Sequence, residues 1–139
     1  MERVLEFFAE ISKIPRGSGN TDGISEYCVN FAKKRGFEAL RDGFNNVIIK
    51  KPAAKGCEMA EPVMLQAHLD MVCEKEDGKI FDFASDPIEL TEKDGWLTAN
   101  GTTLGADDGI GVAMIMAVLD SKDLLHPEIE AVFTTDEEM

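Results

Sequence analysis

Residues 62–72 read PVMLQAHLDMV. A nearly continuous apolar run of this kind is typical of a strand buried on both faces, and such strands belong to the sheets of α/β domains. The flanks agree with that reading. Upstream, FEALR (37–41) and NVIIKK (46–51) are short β-compatible runs separated by the turn-forming pairs Asp42-Gly43 and Asn45-Asn46. Downstream, IELTEK (88–93) and WLTANG (96–101) flank Asp94-Gly95, the two-residue signature of a type I′ hairpin. The stretch VAMIMAVLDSKDLL (112–125) is apolar enough for a buried helix, and IEAVFTT (129–135) returns to strand.

The N-terminal part has a different period. Val4, Leu5, Phe8 and Ile11 fall at helical spacing within residues 2–13, and Pro15 with Gly17 ends the pattern. Ile24, Cys28 and Phe31 suggest a second helix, entered through Asn20 and Thr21 and stopped at Gly36, with Lys33, Lys34 and Arg35 in its last turn. The order α, α, β, β, β, hairpin, α, β indicates an α/β domain with a mixed sheet.

At 139 residues the chain has the size of one domain and can bury a core without staples. Its 14 Lys and Arg against 27 Asp and Glu give a formal charge of -13, which repels phosphate backbones and anionic membrane surfaces, so neither nucleic acid nor membrane is an expected partner. Cys28, Cys57 and Cys73 are odd in number and form no C-x-x-C pair, which argues against a disulfide framework or a cysteine zinc site. No run of eighteen apolar residues and no signal-peptide pattern occurs, so a soluble, cytoplasmic protein is expected.

Three short segments carry candidate chemistry. His68 and Asp70 lie two residues apart at the end of the apolar run, so period-2 alternation turns both side chains to one face. A carboxylate commonly orients a metal-ligating imidazole, although a core histidine satisfied by a nearby carboxylate fits the same residues. GTTLGADDGIGVAMIM (101–116) presents Asp107 and Asp108 in a glycine-rich turn feeding a helix, which is either a site or an ordinary N-cap. The acidic ladder of a calcium loop and the Gly-Lys-Ser/Thr of a phosphate loop are both absent. TTDEE (134–138) places Glu137 and Glu138 just beyond a strand, on a solvated loop or in a site. His126, before Pro127 in LLHPE, reads as a plain loop residue. Taken together, His68, Asp107 and Glu138 fall at strand ends or in the loops beyond, where open α/β sheets place their sites. Imidazole with carboxylates suits zinc, manganese or cobalt better than calcium.

VMLQAHLDMV, GTTLGADDGIG and TTDEE, in that order, together with the lead-in ISKIPRGSGNTDGISEYCVNFAKKRGF, resemble the M20 metallopeptidases and, within them, the aminoacyl-histidine dipeptidases. The resemblance implies a three-layer α/β/α zinc-peptidase-like catalytic domain and hydrolysis of dipeptides such as β-Ala-His. It implies two zinc ions per complete site, with cobalt or manganese as alternatives. His68 matches a metal ligand, Asp70 the catalytic aspartate behind it, Asp107 the carboxylate bridging both ions, Glu137 the general base and Glu138 a ligand of the other metal. A cis peptide bond between Asp107 and Asp108 is implied too. The family pattern needs a further acidic ligand and a further histidine downstream of TTDEE, so residues 1–139 are expected to be the N-terminal part of the catalytic domain. The lid or dimerisation domain is then missing, the fragment is inactive alone, and surface exposed by truncation invites self-association. A tripeptidase, an N-acyl amino acid deacylase, or a non-catalytic interaction domain are the alternatives.

Overall fold

The computed structural model describes residues 2–139, and its first elements are the helices α1 (Glu2–Ile11) and α2 (Asp22–Arg35). α1 buries Phe7, Phe8 and Ile11, so its apolar stripe is rotated from the expected one. Leu5 is 45% exposed, and Phe7 takes the inward place. Tertiary packing decides this: the Phe7 ring meets Phe31 of α2 edge-on at 5.6 Å, under the Arg3 guanidinium at 4.3 Å. α2 stops as expected at Gly36, whose φ of 72° suits a residue without Cβ and whose N–H returns to the carbonyls of Ala32 and Lys33.

Strands β1 (Glu38–Arg41), β2 (Val47–Lys51) and β3 (Val63–His68) follow, then the hairpin β4 (Leu90–Lys93) and β5 (Trp96–Ala99), helix α3 (Ala106–Asp120) and β6 (Ile129–Thr134). The hairpin stands apart, with Asp94 and Gly95 at φ 53° and 80° as a type I′ turn requires. The other four strands form one sheet in the order β1-β2-β6-β3, antiparallel except for the parallel pair β6 and β3. This is the expected mixed α/β architecture.

Register builds a single core. Val47 lies opposite Phe133 and Ile49 opposite Ala131, while Ala67 on the other side also faces Phe133. These residues and Ile129 point to one face and pack with Phe8, Ile24, Cys28, Val112, Met116 and Leu119 from the helices. Full burial of a side chain such as Phe8 or Leu119 stabilises by about 2–3 kcal/mol. Lys51 continues the inward row, and its ammonium donates to the carbonyls of Val118 at 3.1 Å and Ser121 at 2.6 Å. That satisfies carbonyls that the end of α3 leaves without helical partners, while burial draws the amine pKa down.

All three helices cover this one face, so the second helical layer of the expected α/β/α sandwich is not among the described residues. Ile48 and Val132 on the bare face are half-buried, and Met64 is 63% exposed. The expectation that the 62–72 run is buried on both faces is therefore corrected. β3 is an edge strand, and only its last two residues, Ala67 and His68, are buried. Among the described residues it has no outer neighbour, and its side chains on the bare face have no second layer. No helix among the described residues is long and apolar enough to cross a membrane.

One carboxylate ties the three helices together. Asp120 at the end of α3 accepts from Arg3 Nε of α1 and Arg35 Nε of α2, each at 2.8 Å. Partial burial pushes its pKa up, but the two arginine hydrogen bonds outweigh that and hold it below the ordinary value. A depressed folded pKa contributes stability above the unfolded value, and that contribution is lost as pH falls. Asp120→Asn should lower stability at pH 7 by about 1 kcal/mol. Urea midpoints of the two proteins should then converge as pH drops below about 4.

Candidate metal centre

The parallel pairing of β3 and β6 puts His68 directly opposite Thr134, so the ends of both strands open on the same edge of the sheet. Beyond β6 the chain turns through Asp136, at φ 60°, a left-handed conformation that aspartate tolerates better than most residues. That turn sends the Glu137 and Glu138 N–H groups back toward β3. They donate to Asp70 Oδ1 and Oδ2, both at 3.1 Å, and Ser18 Oγ donates to Oδ2 at 2.7 Å. Asp70 is fully buried. Burial pushes its pKa up, but the Ser18 hydroxyl and the two backbone donors more than compensate and hold it below the ordinary carboxylate value.

The third segment arrives with α3. Gly105 adopts φ 70° at the N-cap, and the peptide bond between Asp107 and Asp108 is cis, as the resemblance implied. Asp107 (φ -87°, ψ 112°) and Asp108 (φ -105°, ψ 32°) depart from helical geometry, so the acidic pair forms a kinked turn that feeds the regular part of α3. Asp107 Oδ1 comes within 3.1 Å of His68 Nε2, with Asp107 otherwise exposed.

The two ring nitrogens of His68 then face different tasks. Nδ1 lies 3.1 Å from the Asp70 carbonyl and 3.4 Å from Asp70 Oδ1, both acceptors, so Nδ1 carries a proton. Nε2 faces Asp107 and, at 3.9 Å, Glu137 Oε2. A neutral imidazole with its proton on Nδ1 would set a lone pair against carboxylate oxygen. Only a second proton or a cation between them resolves this. Burial draws the His68 pKa down, but the Asp107 hydrogen bond and the fields of Asp70 and Asp108 outweigh it and raise it above the ordinary value. The same geometry that favours a proton at Nε2 favours a metal ion there.

One ligand atom each from His68, Asp107 and Glu138 lies within 4.8 Å of the other two. The structure thus gathers all five sequence-derived candidates. His68, Asp107 and Glu138 form the cluster, Asp70 lies behind the imidazole, and Glu137 is on its exposed side. His126 stays outside, in the loop after α3, beside the Pro127 carbonyl at 2.7 Å.

Two residues of the site were not singled out in the sequence. Arg16 is almost completely buried, and its guanidinium reaches the carbonyls of Leu69 at 2.9 Å and Gly105. Burial draws its pKa down to about 10 against the opposing fields of Asp70, Cys73 and Asp108. Ser18 is the other. Both sit in the RGSG tetrapeptide, whose mixture of a long cation and small residues before a helix was the available signal.

The profile of peptidase family M20/M25/M40 matches residues 64–139. The chain is 44% identical over 133 residues to the cytosol non-specific dipeptidase of Escherichia coli (strain K12), an alignment covering 96% of this chain and 27% of that protein. It superposes on the aminoacylhistidine dipeptidase of Vibrio alginolyticus with a TM-score of 0.94 at 45% identity, over 97% of this chain and 28% of the other. A tripeptidase of Staphylococcus aureus shares the fold, with a TM-score of 0.78 at 23% identity over 99% of this chain and 37% of that one. The chain thus spans little more than a quarter of the length of its two dipeptidase relatives. The matched profile covers more than half of the chain and takes in both strand ends, the acidic pair and the terminal carboxylates, so the chain belongs to peptidase family M20/M25/M40.

Proposed function

We propose that residues 1–139 supply the N-terminal part of the catalytic domain of a metal-dependent dipeptidase. The observation that carries this is the convergence of His68, Asp107 and Glu138, with one ligand atom of each within 4.8 Å of the others, backed by a buried Asp70. In this reading His68, Asp107 and Glu138 are metal ligands, and Asp70 holds the imidazole with its proton on Nδ1. Nitrogen and carboxylate donors suit zinc, with cobalt or manganese able to replace it. In a complete site of the kind the resemblance implies, Asp107 would be shared between two ions, and the remaining ligands would come from other segments of the catalytic domain.

Metal bound there polarises a scissile carbonyl and makes water more acidic. Glu137 serves as the base: its exposed carboxylate is on the open side of His68, where it can take a proton from water and deliver it to the leaving amine. Its backbone N–H is anchored on Asp70, which fixes its starting point while the side chain stays free.

The names of the two similar dipeptidases support a dipeptide substrate, and that of the Vibrio protein favours an aminoacyl-histidine such as β-Ala-His. The cytosolic label of the Escherichia coli protein supports a cytoplasmic location. A non-catalytic interaction domain is the weaker reading, because it gives no reason for an imidazole and two carboxylates from three separate segments to converge on one edge of the sheet. The open β3 edge, with Val63 and Met64 exposed, supports self-association through strand pairing.

Equilibrium dialysis should show zinc binding to the 139-residue chain that weakens at least about tenfold in His68→Ala and in Asp107→Ala. Unchanged metal content in both variants would reject the metal reading. Zinc-supplemented chain should hydrolyse β-Ala-His only at background rate, since three ligands cannot complete two metals; turnover matching an intact homologue would overturn the partial-site reading. Size-exclusion chromatography should show an apparent mass rising with concentration, and a monomer at every concentration would count against pairing through β3.

A further inference from the structure

We propose that Arg16 is a positioning residue for the metal ligands: its guanidinium gauges the gap between the end of β3 and the start of α3, and so sets His68 against Asp107. This rests on the metal reading above and assigns a role to a side chain outside the ligand set.

The contacts are specific. Nη1 donates to the Leu69 carbonyl at 2.9 Å and lies 3.4 Å from that of Asp70, while Nη2 donates to the Gly105 carbonyl. The first two acceptors directly follow His68; the third is two residues before Asp107. The Asp70 carbonyl is also the acceptor facing His68 Nδ1, so one oxygen is shared between the guanidinium and the imidazole. A shift of the fork therefore moves the ring. The backbone reinforces the docking, with the Met71 N–H bonded to the Arg16 carbonyl at 3.0 Å.

The surroundings are cut to the guanidinium. A Cβ at Gly105 would lie 2.6 Å from Nη2, and one at Gly109 would lie 2.5 Å from it, so these two glycines leave the space the fork occupies. Arg16 is 2% exposed and its buried Nε has no hydrogen-bond partner. Leaving a donor unsatisfied is unfavourable, which an arginine serving only as packing would not need to tolerate. A lysine has the charge but not the planar pair of donors that spans two segments.

Cobalt titration of the 139-residue chain, followed by its visible absorption well below the thermal midpoint, tests the proposal. Arg16→Lys should weaken cobalt binding at least about tenfold and shift the absorption band, as loss of a supporting contact does at metal sites. Leu119→Ala, buried in the core at the far end of α3, should lower the thermal midpoint but leave affinity and band unchanged. Should Arg16→Lys not fold cooperatively, Gly109→Ala displaces the same guanidinium and should reproduce the loss. Cobalt affinity and spectrum equal to those of the unmodified chain in either folded variant would overturn the positioning role. Loss of affinity in Leu119→Ala as large as in the arginine variant would overturn it too, by reducing Arg16 to general stability. His68→Ala separates the two readings: if it leaves cobalt uptake unchanged, or if the unmodified chain takes up none, the metal reading fails and this inference with it.

Discussion

A buried carboxylate has to be fully hydrogen-bonded, and Asp70 is the group on which that demand falls. Its donors come from two places far apart in the chain. Ser18 belongs to the loop between α1 and α2, and the N–H groups of Glu137 and Glu138 follow β6; the His68 imidazole at the end of β3 lies alongside, with Nδ1 3.4 Å from Oδ1. Satisfying this one side chain therefore requires the N-terminal loop and two strand ends to be in place together. The remaining segment, the acidic start of α3, is brought to the same spot by Arg16.

The sheet makes the convergence achievable. With β3 parallel to β6, both strands deliver their last residues to the same end, and α3 packs against β3 with its N-terminus at that end and its C-terminus held by Lys51 at the other. Every acidic group in the cluster lies on a turn or helix start rather than inside a strand. There the backbone can aim it without breaking the ladder.

Much of this architecture was legible from local signals. Gly36 ended α2 and Asp94-Gly95 closed the hairpin because both need positive φ, a requirement that the sequence displays directly. His68, Asp107 and Glu138 could be grouped because each falls at a strand end or in a loop beyond one, where open α/β sheets place their sites. Three things escaped that reading, and each depends on tertiary contact. The inward turn of Phe7 instead of Leu5 is decided by Phe31 and Arg3. The exposure of the first half of β3 depends on which neighbours the strand has, not on its own apolar pattern. Arg16 acts through backbone carbonyls, which every residue has, so its partners are marked only by the glycines at 105 and 109 that leave room for the guanidinium, a signal with many other readings.

The one-sided pairing of β3 has a dynamic consequence. A strand with a single neighbour has half the ladder of an interior strand, so local opening of β3 requires less free energy than unfolding the β2–β6 centre. The strand carrying His68 is then, with β1 at the opposite edge, one of the two that open more readily than the centre. A cation gripped by His68 together with Asp107 and Glu138 would act as a clasp across that seam, binding only the closed form and shifting the population toward it. Amide exchange along Val63–His68 thereby becomes a direct gauge of how far the centre is assembled at any moment.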